Sequence, residues 1–283
     1  MARVLASARA TRDGVTASSA LIRRSATTVV AVPALVWIVA YAPLWLFPLV
    51  IVLVAAAAAH ELTALLDQAG HATLGRLGAV LTAAVAASFA FRGATMIALM
   101  AAAGIALAAP LWRRGALSIV PTAVTLLTVV YVGGMLGHAV WLTLLPQGPW
   151  LVLVLLGVTW TGETAAYLAG SALGRHKLAP VVSPNKTIEG AVAQVIMSVG
   201  VAIALGLWLV PGAGAAFWAG AGVLVGVVGQ VGDLVESAIK RSAKAKDAGG
   251  LIPGHGGLLD RLDSLLFNLP AFFYYVVLIG GRA

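Results

Sequence analysis

The chain has 283 residues, of which 61% are hydrophobic and only 10% are charged, and it contains no cysteine. Soluble domains carry about 25% charged residues, so this composition excludes an ordinary soluble protein and indicates a polytopic membrane protein. The lack of cysteine excludes disulfides, thiolate metal sites and a cysteine nucleophile. A net charge of +8 could suit nucleic acid, but a basic cytoplasmic face against anionic lipid explains it more simply, so no nucleic-acid partner is expected.

Residues 1–25 are polar and rich in arginine. We interpret them as a cytoplasmic N-terminal lead, with a cleaved signal peptide as the alternative. The basic stretch is long for a signal peptide and further hydrophobic runs follow it. The first apolar run is therefore interpreted as a membrane anchor.

Apolar runs of helical length predict an all-α fold with about nine transmembrane helices and a cytoplasmic N-terminus. The first 115 residues are rich in alanine and poor in intramembrane charge, and we interpret residues 26–149 as a transmembrane scaffold half. Residues 150–283 form the predicted catalytic half, with cytoplasmic loops at 174–187 and 241–261. The predicted spans lie near 27–41, 44–66, 76–91, 93–111, 118–145, 150–173, 187–210, 213–240 and 262–281.

The distribution of charge supports this count. When nine spans alternate, every Lys and Arg except Arg92 and Arg282 falls on the inside, as the positive-inside rule expects. The carboxylates show the same bias, with Glu163 near the middle of the sixth span as the exception. The sequence therefore places its chemistry on the cytoplasmic face.

The end of the eighth predicted span carries a charged helix face. Its polar residues follow at helical spacing from Asp233, which comes after about 20 apolar residues. An ionisable group at that depth is costly, so a functional role is the first hypothesis. The alternative is a helix end with simple ion pairs, such as Glu236 with Lys240. The face consists of Asp233, Glu236, Ser237, Lys240 and Arg241.

A second acidic group opens the last span. Asp260 and Asp263 are three residues apart and flank Arg261. One aspartate could simply cap the helix, but two with an arginine fit that interpretation less well. Together with Asp233, they could supply oxygen ligands for Mg²⁺, which usually takes one or two carboxylates together with water and substrate phosphates.

A glycine-rich turn lies between these two groups. Gly254, Gly256 and Gly257 would let the backbone approach a ligand, so that successive amides cradle anionic oxygens. His255 could donate to a phosphate or shuttle a proton, or it could only fix the loop. The turn follows a run of positive charge formed by Lys240, Arg241, Lys244 and Lys246.

The predicted loop at 174–187 is also basic. Pro180 and Pro184 disfavour helix there, and Thr187 opens the next span. A basic cytoplasmic loop is ordinarily only a topology signal, but its hydrogen-bonding groups also suit phosphate or nucleotide. The candidate binding residues are Lys177, Ser183, Lys186 and Thr187.

Three further polar positions are given less weight. Glu163 and Tyr167 are spaced for a buried hydrogen bond within one helix. His60 and Glu61 are interpreted as an interface anchor, and His138 as a satisfied interhelical group. Neither histidine has a second ligand at metal spacing.

Taken together, the motifs resemble the signature of the phosphatidate cytidylyltransferases, or CDP-diacylglycerol synthases. The resemblance covers roughly residues 155–270, and Glu163 departs from the aspartate expected in many members. The matching residues are Ser237-x-x-Lys240-Arg241, Lys246-Asp247, Pro253-Gly254-His255-Gly256-Gly257 and Asp260-Arg261-x-Asp263, with Lys177-Leu178-Ala179-Pro180 and Ser183-Pro184-x-Lys186-Thr187-x-Glu189-Gly190 upstream.

The resemblance implies that CTP and phosphatidic acid react with Mg²⁺ to give CDP-diacylglycerol and pyrophosphate. It implies a multi-pass protein of the inner (cytoplasmic) membrane with its active site facing the cytoplasm, and it allows a second cation and a homodimer. The expected catalytic residues are Asp233, Asp260, Asp263, Lys240, Arg241, Asp247 and His255, the first three as metal ligands. The expected substrate-binding residues are Lys177, Ser183, Lys186, Thr187, Ser237, Lys246, Gly254, Gly256, Gly257 and Arg261.

This chemistry agrees with the residues themselves. The lipid phosphate is already an anionic nucleophile, so catalysis needs charge neutralisation and in-line positioning rather than a serine or cysteine. Two alternatives remain open. One is a CTP-dependent enzyme that acts on another lipid phosphate. The other is a transporter, which the one-sided distribution of carboxylates disfavours because transporters place their sites near the bilayer midplane.

Overall fold

The computed structural model describes residues 31–112, 118–249 and 257–281, and these residues are mostly helical. The expected all-α character is confirmed apart from one short antiparallel hairpin in the loop where prolines disfavour helix. The helices are α1 (Ala31–Ala40), α2 (Leu46–Gln68), α3 (Arg76–Ser88), α4 (Ala94–Ala108), α5 (Val120–Thr128), α6 (Met135–Leu144), α7 (Gly148–Leu173), α8 (Ile188–Leu209), α9 (Ala215–Ser242) and α10 (Asp263–Leu278), and the strands are β1 (Lys177–Ala179) and β2 (Ser183–Thr187).

Shorter helical segments complete the fold. A 3₁₀ turn extends α4 over Ala109–Trp112, and another covers Leu259–Arg261 just before α10. A π-helical turn at Val129–Gly134 joins α5 to α6, so these three segments act as one long apolar helix. Gly133 lies in this turn, where an added Cβ would stand 2.7 Å from the carbonyl oxygen of Thr82 on α3. The wider turn thus coincides with a close approach of two helices.

Six helices in the described part of the chain are long and apolar enough to cross a membrane. They match six of the nine predicted spans and are Leu46–Gln68, Ala94–Leu111, Val120–Leu144, Gly148–Leu173, Ile188–Leu209 and Ala215–Ser242. The other three, α1, α3 and α10, are apolar helices of 10–17 residues, below the roughly 20 residues that a hydrocarbon core requires. The predicted nine spans and cytoplasmic N-terminus therefore stay predictions, and residues 1–25 lie outside the described part.

Hydrogen bonds between loops show which helix ends lie together. The backbone amide of Leu74, between α2 and α3, donates to Thr125 Oγ1 in α5 at 3.2 Å. Thr122 Oγ1 donates to the carbonyl oxygen of Ala106, near the end of α4, at 3.1 Å. The end of α2, the end of α4 and the start of α5 therefore share one end of the bundle.

The helices of the second half pack closely through small residues. An added Cβ on Gly222 of α9 would stand 2.5 Å from Cα of Val199 on α8, and one on Gly206 would overlap the ring of Trp218. Small residues let helix backbones approach in this way in membrane proteins. Deeper in the bundle, Asn268 of α10 donates to Thr159 of α7 at 3.1 Å. This packing brings the end of α7, the start of α8, the end of α9 and the start of α10 together.

Candidate active site at one end of the bundle

The hairpin prepares the first part of the site. β1 and β2 pair antiparallel and lead directly into α8. Thr187, which is 5% exposed, caps this helix because its Oγ1 accepts a hydrogen bond from the amide of Gly190 at 3.1 Å. At the base of the hairpin, His176 Nδ1 lies 2.7 Å from Glu189 Oε1, within hydrogen-bond distance. Thr187, predicted to bind substrate, therefore has a structural role in this conformation.

The cap sets the position of the preceding residue, Lys186. Its Nζ lies 2.5 Å from Asp233 Oδ2 on α9, and both side chains are half-buried. Ser237 Oγ, one helical turn further along α9, donates to Asp233 Oδ1 at 3.3 Å. The predicted cationic loop and the predicted acidic helix face therefore meet.

A second lysine bridges two carboxylates. Lys240 Nζ lies 2.6 Å from Glu236 Oε2 and 2.7 Å from Asp260 Oδ1. Side-chain exposure is 14% for Lys240, 12% for Asp260 and none for Glu236. An ammonium group shared by two buried carboxylates stabilises them in a region of low dielectric, where an unpaired charge would be costly.

Asp260 accepts hydrogen bonds from the backbone as well as from Lys240. The backbone amides of Ala248 and Gly257 donate to its carboxylate, at 3.1 Å and 2.9 Å from Oδ2. Burial by itself would raise the pKa of Asp260, but the hydrogen bonds from Lys240, Gly257 and Ala248 outweigh burial and lower it. Asp260 therefore keeps its charge below the pH at which an ordinary aspartate is protonated.

Two more carboxylates complete an acidic cluster. Asp263, the first residue of α10, interacts electrostatically with Asp233 and Glu163. Glu163 of α7 lies close enough to Ser264, Lys186 and Arg261 to interact with them electrostatically. We call the set the acidic cluster, and it comprises Glu163, Asp233, Glu236, Asp260 and Asp263.

A cavity of about 490 Å³ lies beside this cluster, between α7, the hairpin, α8 and α9. Asp233 and Lys186 form part of its wall, together with the amide side chain of Gln230. Tyr167 of α7 also lines the cavity and is 75% exposed. The cavity thus joins charged groups to the apolar outer surface of the helices.

The donor set of the cluster fits a divalent cation. In the described part of the chain, no three His, Asp or Glu side chains form a ready-made metal cage. Mg²⁺ does not need one, because it usually takes one or two carboxylates and completes its shell with water and phosphate oxygens. Asp233 and Asp263, which repel each other, can provide such a pair. Asp260 already accepts from Lys240 and two amides, so its role as a metal ligand stays a prediction.

The remaining predicted residues lie around the cluster or beyond it. Arg241 donates to the carbonyl oxygens of Val182 and Ala245 and so ties the hairpin to the end of α9. The side chains of Lys177, Lys246, Asp247 and Arg261 are exposed, and Ser183 begins β2. The backbone amide of Gly257 donates a hydrogen bond to Asp260. The predicted Gly254, His255 and Gly256 lie outside the described residues.

Three polar residues were underweighted or missed by the sequence reasoning. The sequence allows Glu236 either a role in the site or an ordinary helix ion pair with Lys240; the structure contains this ion pair, and it also buries the Glu236 side chain fully within the cluster. Gln230 was not considered. Glu61, interpreted as an interface anchor, instead accepts a hydrogen bond from the amide of Leu259, 198 residues away. The cost of a carboxylate after a long apolar run, the signal that identified Asp233, also applied to Glu61.

Fold and site together define a helical membrane protein with an ionic centre at one end of its helix bundle. Residues 22–279 of the chain match a family model that is described as "Cytidylyltransferase family". The chain therefore belongs to the cytidylyltransferase family, and the resemblance inferred from its motifs is confirmed.

Individual relatives point the same way. The chain is 47% identical over 146 residues to uncharacterized protein YnbB of Escherichia coli (strain K12), across 50% of this chain and 49% of that protein. It is 37% identical to the phosphatidate cytidylyltransferases of Staphylococcus aureus (strain COL) over 172 residues and of Staphylococcus haemolyticus (strain JCSC1435) over 180 residues, in both cases across 61% of this chain and 65% of theirs. The matches thus span about half of YnbB and just under two thirds of the staphylococcal proteins.

Proposed function

We propose that this protein is a phosphatidate cytidylyltransferase. An oxygen of the lipid phosphate monoester attacks the α-phosphorus of CTP, and the bond from that phosphorus to the oxygen bridging to the β-phosphorus breaks. The products are CDP-diacylglycerol and pyrophosphate. The family membership and the staphylococcal relatives support the reaction class.

The observation that carries the proposal is that two lysine–carboxylate ion pairs form at this end of the bundle. They are Lys186 with Asp233 and Lys240 with Asp260. The reaction must bring two polyanions together, so its main barrier is electrostatic. Ammonium groups in a partly desolvated site lower that barrier strongly, since charges interact more strongly there than in water. Lys186 and Lys240 would exchange their carboxylate partners for phosphate oxygens when substrate binds.

The carboxylates have a complementary role. Asp233 and Asp263, with Asp260 beside them, would hold Mg²⁺, which would neutralise phosphate charge when bound. The site would face the cytoplasm from the inner membrane, as the basic loops and the positive-inside rule support. Exposed apolar residues near the cavity, Tyr167, Leu168 and Val192, suit contact with the acyl chains of a lipid substrate.

The direct test uses purified protein in liposomes that contain phosphatidic acid. CTP labelled at the α-phosphate should pass its label to lipid, whereas label at the β- or γ-phosphate should appear in pyrophosphate. Release of the α-label as free CMP, or no transfer in liposomes that support a known family enzyme, would contradict the proposal.

A second candidate is CTP-dependent transfer to another lipid phosphate. The 47% identity to YnbB, a protein described as uncharacterized, leaves the lipid acceptor open. The same assay with a panel of lipid phosphates, including a polyprenyl phosphate, separates the two candidates. Preference for phosphatidic acid in kcat/KM supports the first, and preference for another acceptor supports the second.

A further inference from the structure

Glu61 links the first half of the bundle to the ionic site. It lies on α2, its side chain is 5% exposed, and its Oε2 accepts a hydrogen bond from the backbone amide of Leu259 at 2.8 Å. Leu259 is buried and opens the 3₁₀ turn that carries Asp260. A side chain of the first half therefore holds the backbone directly next to Asp260.

Two glycines make room for this contact. An added Cβ on Gly257 would stand 2.8 Å from both Glu61 carboxylate oxygens and 2.9 Å from Asp260 Oδ2. An added Cβ on Gly249 would overlap the Glu61 carboxylate, and its three nearest atoms all belong to Glu61. Glu61 therefore fills the space between two backbone segments, and the neighbouring residues Ala248 and Gly257 both donate to Asp260.

Glu61 is a costly residue to retain for packing alone. Its Oε1 is buried without a hydrogen-bond partner in the described part of the chain. A buried polar atom without a partner destabilises a fold, and an apolar side chain of similar size would avoid that cost. The nearby residue Thr63, also buried on α2, is satisfied within its own helix by donating to the carbonyl oxygen of Ala59 at 2.9 Å.

We propose that Glu61 is a positioning residue that sets the backbone from Gly257 to Asp260, so that Asp260 meets Lys240 and the amide of Ala248. The inference rests on the proposed function and assigns the first half of the bundle a part in the active site. Glu61 acts through Asp260 and touches no reacting atom. Loss of its acceptor therefore lowers turnover while CTP binding changes little.

The first test compares Glu61→Leu, which removes the acceptor, with Glu61→Gln, which keeps one, and with Thr63→Val as the matched control. Because small misplacements of catalytic groups are costly, kcat should fall at least about tenfold in Glu61→Leu, with KM for CTP changed less than about threefold. Glu61→Gln and Thr63→Val should stay within about threefold of the unmodified protein. Unchanged kcat in Glu61→Leu, or an equal loss in Thr63→Val, would overturn the proposal.

A second readout does not depend on activity. Amide hydrogen exchange in a peptide that covers residues 257–262 should accelerate at least about tenfold in Glu61→Leu and not in Thr63→Val. Wild-type exchange in Glu61→Leu overturns the inference whatever the enzyme does. If the unmodified protein transfers no label from CTP while exchange responds as expected, the proposed function fails and the positioning contact stands.

The glycines provide a third test, which also decides the matter if Glu61→Leu does not fold. Gly249→Ala should lower kcat at least about fivefold in the presence of Glu61, whose carboxylate the new methyl group would displace. In a Glu61→Ala background the space is free, so adding Gly249→Ala should cause no further loss. Independent effects that multiply, or a harmless Gly249→Ala, would overturn the proposal.

Discussion

Lys240 and Asp260 are twenty residues apart in the chain, yet Lys240 Nζ lies 2.7 Å from Asp260 Oδ1. This ion pair joins the end of α9 to the turn that precedes α10. Lys240 also neutralises Glu236, which has no exposed side-chain surface. Lys240 therefore stabilises this end of the bundle and also supplies a positive charge to the candidate site.

Replacement of this lysine tests both contributions. Lys240→Met should lower kcat/KM for CTP by about a hundredfold or more, because a preorganised cation at the phosphates is lost. It should also destabilise the fold by about 3–5 kcal/mol, since the buried Glu236 loses its partner and Asp260 keeps only its two backbone donors. Label transfer and thermal unfolding measure the two effects. Exposed Lys244→Met is the control, and an equal loss there would contradict the assignment.

We expect turnover to depend more on the Asp233 carboxylate than on the Ser237 hydroxyl that donates to it. Asp233→Asn should lower kcat by about a hundredfold or more, because it removes a charge from the cluster. Ser237→Ala should cost less than about fivefold, because its 3.3 Å bond to Asp233 is long. Initial rates of label transfer compare the two. Near-normal turnover in Asp233→Asn would refute its place in the site.

Removal of divalent cations should abolish transfer, and Mg²⁺ should restore it. Asp263→Asn should raise the Mg²⁺ concentration required for half-maximal rate by about tenfold or more, because it removes one of the proposed ligands. Asp67→Asn is the matched control. Asp67 accepts hydrogen bonds from the backbone amide and hydroxyl of Thr73 in the loop after α2 and is not part of the acidic cluster. Titrations of rate against Mg²⁺ measure the difference. An identical Mg²⁺ requirement in both variants would exclude Asp263 as a ligand.

Thr187 offers a prediction about stability. Thr187→Val keeps the shape but loses the acceptor for the Gly190 amide, so unfolding free energy should fall by about 1 kcal/mol. Thr187→Ser keeps the hydroxyl and should remain closer to the unmodified protein. Thermal unfolding in detergent provides the comparison. Equal stability of the two variants would argue against the cap.

Gly222 and Gly200 form a matched pair for helix packing. A methyl group at Gly222 would meet the backbone of Val199, whereas one at Gly200 would meet no atom within 4 Å. Gly222→Ala should therefore destabilise by about 1–3 kcal/mol, and Gly200→Ala should be tolerated. Thermal unfolding distinguishes them. Equal tolerance would show that α8 and α9 can separate without cost.

Sequence reasoning succeeded where the signal is local along the chain. Long apolar runs located the six long helices, and the prolines after Lys177 indicated the segment that forms the short hairpin. It could not predict how Asp260 is held in place. The spacing predicts a metal ligand, which stays a prediction, and the structure shows that the Asp260 oxygens accept from Lys240 and two amides. Lys240 and Ala248 lie 20 and 12 residues away along the chain, and no spacing rule contains them.

Composition by itself determined that this is a helical membrane protein, and the ordered motifs identified its resemblance to the cytidylyltransferase family, whereas the shared face of most charged residues stays a prediction. The membrane character follows from the free energy of placing each residue in lipid or water, which can be summed along the chain. Only the tertiary structure decided that Lys186 meets Asp233, that Lys240 meets Asp260, and that Glu61 reaches Leu259. Each of the contacts between helices depends on how two helix faces pack, and that geometry is set by side-chain shape in three dimensions rather than by distance along the sequence.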